Sequence, residues 1–290
     1  MRKLEHHEIP SQFFEIPEPP KELWIEGELP KDETIYLTVV GSRKHTNYGR
    51  DACREIIKGL VGYPITIVSG LAIGIDTIAH TTALEMGLKT ISFPGSGLGN
   101  TVLYPRSNWQ LANEIVTKGG ALISEFPPET PSAIWTFPRR NRLMAGLSHA
   151  VLIIEAEEKS GTLITARLAM DYNRDVYVVP GSIFSENSFG TNRLIREGAH
   201  PICSSLDLLH ALGFDPAQDV PENNQDSLFE KEKNLTPEEK IILEILHAGA
   251  LPKEMLIKLS GMEIQKINIL LSQMELNDLI TEEGGVIQKK

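Results

Sequence analysis

Four stretches of this 290-residue chain combine residue types at spacings suited to holding a phosphate. The first reads Gly41-Ser42-Arg43-Lys44. Glycine lets the backbone approach a ligand closely, the N–H groups opening the next helix favour an anion, and Arg43 offers a bidentate guanidinium. The second, Phe137-Pro138-Arg139-Arg140-Asn141-Arg142, is the densest basic cluster in the sequence. Proline predicts a turn there, with the arginines in the first turn of a helix over 140–147. Cations are unfavourable at that end of a helix unless an anion shares it. Guanidiniums beside an aromatic ring suit a phosphate backbone with unstacked bases, and interdomain salt bridges are their plainer use. The third, Lys159-Ser160-Gly161-Thr162, offers hydroxyls, a glycine backbone and a lysine, provided that the preceding Glu157 and Glu158 turn outward. The fourth runs from Ser69 and Gly70 to Gly74 and Asp76, with His80 one helical turn beyond.

Catalysis is not demanded by any of these. Asp76 is expected to cap its helix and His80 to fill that helix's packed face, leaving Asp76 and Glu155 as the only candidate acids. No Ser/His/Asp arrangement, paired-carboxylate motif or metal-ligand spacing occurs, so no catalytic residue, metal or cofactor is expected. The run Gly95-Ser96-Gly97-Leu98-Gly99-Asn100 imitates a dinucleotide loop, but a helix should begin directly after such a loop. Instead Tyr104-Pro105-Arg106-Ser107 intervenes, with Ser107 as the expected helix cap.

The elements that must position these stretches follow from periodicity. Apolar runs over 35–40, 65–69, 90–93, 121–124, 150–155 and 176–180 mostly end at or near glycine and alternate with helix-like segments. That alternation predicts βαβ units: an extended Rossmann-like, doubly wound α/β domain with a mainly parallel sheet. Ligands bind such sheets at the carboxyl ends of the strands, where the glycines fall. Residues 1–34, rich in proline, read as an extended strap. Residues 215–234 read as a polar, acidic linker. Beyond it, Thr236, Pro237 and Glu239 form a capping signal, helices follow near 237–247, 253–259 and 263–275, and Gly284-Gly285 marks a hairpin. Three helices and a hairpin predict a small winged-helix domain over 235–290.

A net charge of −11 argues at first against a nucleic-acid ligand. Its distribution reverses that reading. Residues 35–214 carry 16 Lys/Arg against 15 Asp/Glu, and the acidity lies in the flanks. No apolar stretch suggests a membrane span or a secretory signal, and the only cysteines, Cys53 and Cys203, fit neither a zinc site nor a disulfide framework. A cytoplasmic protein is expected.

Taken together the motifs resemble one family, the DNA-processing protein A family (DprA, also called Smf). The resemblance rests on Val39–Arg43, Ser69–Asp76 with His80, Tyr104-Pro105 with Asn108, Ser124-Glu125, Phe137–Arg142 and Ser160–Ala166. It continues through Pro180-Gly181, Gly190-Thr191-Asn192 and Gly198-Ala199, and spans about residues 9–214. It implies sequence-independent binding of single-stranded DNA without catalysis, protection of incoming DNA, homodimerisation, and help in loading RecA recombinase during natural transformation. Carried over by position, the DNA site is Gly41, Ser42, Arg43, Gly70, Arg139, Arg140, Asn141, Arg142, Lys159, Ser160, Gly161 and Thr162. The winged-helix domain is acidic, with Glu263, Gln265, Lys266, Asn268, Gln273 and Glu275 on its third helix, which predicts protein contact in place of groove reading. Two other readings stand beside this one. One is a nucleotide sensor or enzyme similar to the nucleoside-monophosphate phosphoribohydrolases, whose glycine-rich loop is replaced here by Lys159-Ser160-Gly161-Thr162. The other is an interaction scaffold acting through its acidic wing.

Overall fold

Glycine-terminated apolar runs become the strands of one sheet. The computed structural model describes residues 1–30, 33–216, 236–246, 250–262, 264–276, 279–283 and 285–289. They form two compact units, Met1–Pro221 and Glu222–Lys290. In the first unit the strands are β1 (Arg2–Lys3), β2 (Trp24–Gly27), β3 (Ile35–Val40), β4 (Ile65–Ser69), β5 (Thr90–Ser92), β6 (Ala121–Ser124), β7 (Ala150–Ile153), β8 (Asp175–Val178) and β9 (His200–Pro201). The helices are α1 (Asn47–Lys58), α2 (Ile75–Glu85), α3 (Trp109–Thr117), α4 (Thr136–Leu147), α5 (Thr162–Asp171), α6 (Phe189–Arg196) and α7 (Ser205–Ala211).

Across the sheet the order is β1-β2-β6-β5-β4-β3-β7-β8-β9, parallel from β6 to β9. This is the doubly wound, Rossmann-like α/β fold expected. Side chains alternate along β3: Leu37 and Val39 pack with α1, α2 and α7, while Tyr36 and Val40 pack with α4 and α5 on the opposite face. Helix α1 starts where Thr46 Oγ1 accepts the Gly49 N–H at 3.1 Å, and it buries Cys53, Ile56 and Ile57 on one side.

Residues 1–30 do more than lie along the sheet. Their two strands extend it antiparallel from β6, with Trp24 opposite Ser124 and Ile25 opposite Ile123. Between the strands, Phe13, Ile16 and Leu23 enter the core beneath α4. Full burial of each such side chain stabilises the fold by about 1.5–3 kcal/mol.

Several boundaries differ from expectation. Helix α4 begins at Thr136, four residues before Arg140, with Pro138 inside its first turn, where a missing N–H costs nothing. Arg140, Asn141 and Arg142 therefore occupy the second turn, away from the open amides of the helix end. Ser107 does not cap α3. A single 3-10 turn, Arg106–Asn108, leads into it, and the Asn108 amide instead donates to Leu71 O and Thr77 Oγ1, both at 2.8 Å.

The second unit contains helices Pro237–Leu246, Lys253–Ser260 and Ile264–Leu276, with strands Leu251–Pro252, Ile280–Glu283 and Val286–Lys289 in one small antiparallel sheet. This is a winged-helix arrangement. Its first helix carries the expected capping box: Glu239 N–H donates to Thr236 Oγ1 at 3.3 Å and Thr236 N–H to Glu239 Oε2 at 2.7 Å. Glu263, Gly284 and the stretch 217–235 lie outside the described residues. Among the described residues no helix is long and apolar enough to cross a membrane.

Candidate nucleic-acid interface

From β3 the chain winds outward through β4 and β5 to β6, and α4 then carries it back across to β7 on the other side of β3. The loops leaving the carboxyl ends of β3 and β7 must diverge, and such a switch point opens a crevice. A cavity of about 430 Å³ sits there. Its walls are Gly41 to Lys44 after β3, Ser160 to Thr162 opening α5, and Phe137, Arg140 and Asn141 from α4; Glu157, expected to turn outward, also lines it and places an acid beside the rim.

Hydroxyl groups bind the two loops into one rim. Thr162 Oγ1 donates to Gly41 O at 3.1 Å, Ser42 Oγ accepts the Lys44 N–H at 3.0 Å, and Ser160 Oγ accepts the Thr162 N–H at 3.2 Å. The β4–α2 loop supports the rim from behind. Gly74 there has φ +89°, and a Cβ would strike the backbone of Ser42 and Arg43, so only glycine serves. Arg43 itself is exposed, its guanidinium 5.4 Å from the centre of the Phe137 ring.

Arg140 and Asp76 form the floor. Arg140 is buried: Nη1 donates to Phe93 O at 2.8 Å and also to Gly70 O, while Nε donates to Asn141 Oδ1 at 3.0 Å. Asp76 accepts the Gly70 N–H at 3.1 Å and the Ala72 N–H at 3.4 Å. It thus holds the β4–α2 loop and does not cap α2, whose N-cap is Gly74. Burial pushes the Asp76 carboxyl up, and the neighbouring Arg140 charge pulls it back. Burial likewise lowers the Arg140 guanidinium, to about 10, against the pull of Asp76. Arg140 therefore stays charged at neutral pH. Gly70 is confined between these two side chains, where a Cβ would displace the guanidinium.

The twelve residues singled out from the sequence separate into groups. Gly41, Ser42, Arg43, Arg140, Asn141, Ser160, Gly161 and Thr162 converge on the cavity. Gly70 lines a smaller adjoining one with Tyr104 and Phe137, and Lys159 lines a groove beyond Ser160. Arg139 and Arg142 turn to another side of α4, where both reach Glu125 Oε2, at 3.1 and 2.6 Å, and Arg142 also donates to Glu18 O in the N-terminal segment. Glu155 is buried and accepts both the N–H and the hydroxyl of Thr46, at 2.9 and 2.5 Å. Lys44, part of the first stretch but not among those twelve, stands on the rim as a further cation, and Ile73 and Tyr104 are exposed neighbours of Phe137 whose place here the sequence did not indicate. The Tyr104 and Phe137 rings meet edge to face at 5.7 Å. Tyr104-Pro105 stood in the sequence as a motif, but nothing local tied it to Phe137, which opens a helix after a different strand.

His80 lies fully buried in α2, its Nδ1 2.7 Å from Thr90 Oγ1. Burial, aided by the Arg140 charge, pushes its pKa down from 6.5 to about 3. The folded chain therefore refuses a proton that the unfolded chain accepts. Its stability is full above about pH 6.5 and is lost progressively as pH falls toward 3. Thermal midpoints across that window should fall less steeply in His80→Leu than in the wild type. Parallel curves would exclude His80 as the source.

The family described as DNA recombination-mediator protein A matches residues 1–213, and the DprA winged helix domain matches residues 230–285. The chain belongs to the DNA recombination-mediator protein A family. It is 36% identical over 289 residues to Protein Smf of Escherichia coli, covering 97% of this chain and 76% of that protein. DNA processing protein DprA of Streptococcus pneumoniae is 40% identical over 205 residues, 71% of each chain. The X-ray structure of DprA from Streptococcus pneumoniae superposes with a TM-score of 0.67 at 38% identity, over 73% of this chain and 74% of that one. DNA processing protein A from Helicobacter pylori, solved for its single-stranded DNA binding mode, gives 0.65 at 32% identity, over 72% of this chain and 94% of that one. The DprA resemblance drawn from the motifs is thus upheld along both units.

Proposed function

We propose that this protein binds single-stranded DNA, without regard to sequence, through phosphates held in the cavity between β3 and β7. One observation carries the reading. The phosphate-suited cavity adjoins the Tyr104–Phe137 pocket, sharing Arg43, Ala72, Phe137 and Arg140 with it, so a charged rim and an apolar aromatic wall lie side by side. Arg43 and Lys44 supply charge, the Ser160 hydroxyl on the rim supplies a donor, and the Arg140–Asn141 hydrogen bond leaves the Asn141 amide N–H groups for a ligand. The two rings offer faces to unstacked bases. Arg140 acts from the floor as a positioning residue, and Arg139 and Arg142 hold α4 in place. The Helicobacter pylori relative's single-stranded DNA binding supports the same assignment.

In the cell the protein acts in the cytoplasm as a homodimer that joins two cavities on one strand, protects incoming DNA and helps load RecA recombinase in natural transformation. Gel shifts with single-stranded and duplex DNA across salt concentrations test the core of this reading. Single strands should bind more tightly, with a steep loss of affinity as salt rises. Equal affinity for duplex, or no salt dependence, would reject it.

The winged-helix domain serves protein contact. Ile264, Ile269, Met255 and Leu259 are exposed on it, and Lys266 on the third helix is already paired with Glu238 at 2.9 Å. Deleting residues 215–290 should leave most single-strand affinity intact. A large loss in the same gel shift would show that this domain grips DNA.

A further inference from the structure

A second groove adjoins the cavity at the start of α5. Ser160, Gly161 and Ile164 form the cavity's far wall and at the same time the near wall of this groove, of about 310 Å³ between α5 and α6. With the Tyr104–Phe137 pocket on the opposite side, three cavities lie in series, each sharing residues with the next. Lys159, Arg167 and Arg193 line the groove, together with the half-exposed Ile164 and Met170.

We propose that this groove is a second nucleotide subsite: a strand leaving the cavity passes over Ile164 and places a following phosphate on Arg167. The inference rests on the single-strand reading above. Arg167 and Lys159 are exposed and have no acidic partner among the described residues. Arg193 is held by Glu197 at 2.7 Å, but an exposed pair of this kind is weak and readily exchanged for a phosphate. Leu163, Arg167 and Met170 fall on one stripe of α5, so a cation stands between apolar groups as a sugar-phosphate chain requires. Glu158 and Glu197 on the same groove oppose an anion. Their presence leaves this subsite weaker than the cavity, an auxiliary contact reached only by strands long enough to extend past Gly161.

The test is a ladder of oligothymidylates, lengthened one nucleotide at a time, titrated against the full-length protein. Wild type should gain affinity past the length that fills the cavity. Arg167→Ala should match wild type on the shortest binding oligomers, lose about fivefold on longer ones, and lower their salt slope by about 0.7. Glu158→Gln should tighten only the longer ones. If Arg167→Ala follows wild type at every length, or loses equally at every length, the groove is not on the strand's path. Arg43→Ala separates the two claims: should it also match wild type throughout, the cavity reading fails as well.

Discussion

Arg140→Ala is expected to lower the unfolding free energy by about 3–5 kcal/mol, because breaking a buried pair leaves its partner charge stranded. Asp76 would remain buried beneath the cavity with only the more weakly acting Arg43 charge to offset its own, and the carbonyls of Gly70 and Phe93 would lose their donor. For a chain of this size the thermal midpoint should drop by roughly 10 °C. The variant's stability should also recover in part as pH falls. Loss of Arg140 raises the folded-state pKa of Asp76 still further above its unfolded value, so protonation then favours the folded form. Pairing Arg140→Ala with Asp76→Asn should restore part of the loss at neutral pH. Calorimetry reads both, and a single variant melting with the wild type would refute the role given to the floor.

Binding should respond most to Arg43→Ala. Arg43 is exposed, so folding should change by less than about 0.5 kcal/mol. Affinity for single-stranded DNA should fall about tenfold to a hundredfold, the range for a hydrogen bond between charged groups. The loss should be equal for thymidylate, adenylate and cytidylate strands, and the salt slope should shrink by about 0.7. Fluorescence titration at several salt concentrations measures all three quantities. An unchanged slope would remove Arg43 from the phosphate site, and a loss confined to one base would mean that it reads sequence.

Much of this arrangement was legible in the residues. Strands β3 to β8 announced themselves because each is a short apolar run, mostly ending at or near a glycine, and their alternation with helices dictated the switch point where Gly41 and Ser160 meet. Strands β1, β2 and β9 were not legible. They are two to four residues long with mixed polarity, and pairing with a distant neighbour alone makes them strands. The arginine cluster was half legible. Its composition pointed to anions, but its division was decided by Glu125, a carboxylate on the β6–α4 connection that draws Arg139 and Arg142 aside. Which arginine faces a ligand and which faces a carboxylate depends on helix phase, and Pro138 had suggested a later start for α4. Asn108 posed the same difficulty: its partners Leu71 and Thr77 lie across the sheet's end, beyond the reach of any local capping rule.

The two N-terminal strands have a consequence for how the chain is made. Trp24 pairs with Ser124 and Gly27 with Ala121, so β2 leaves the ribosome long before the strand that it will join. Until β6 arrives, Phe13, Ile16 and Leu23 have no complete core to enter. Pairings so distant in sequence slow folding, because the loop between them must close before any contact repays it. Once docked, β2 covers the flank of β6 and β1 covers β2 with only two residues, so the sheet finishes in a stub too short to recruit a stranger. A segment synthesised well before its partner thus waits for β6 before it can settle, and once in place it closes this edge of the sheet to further strands.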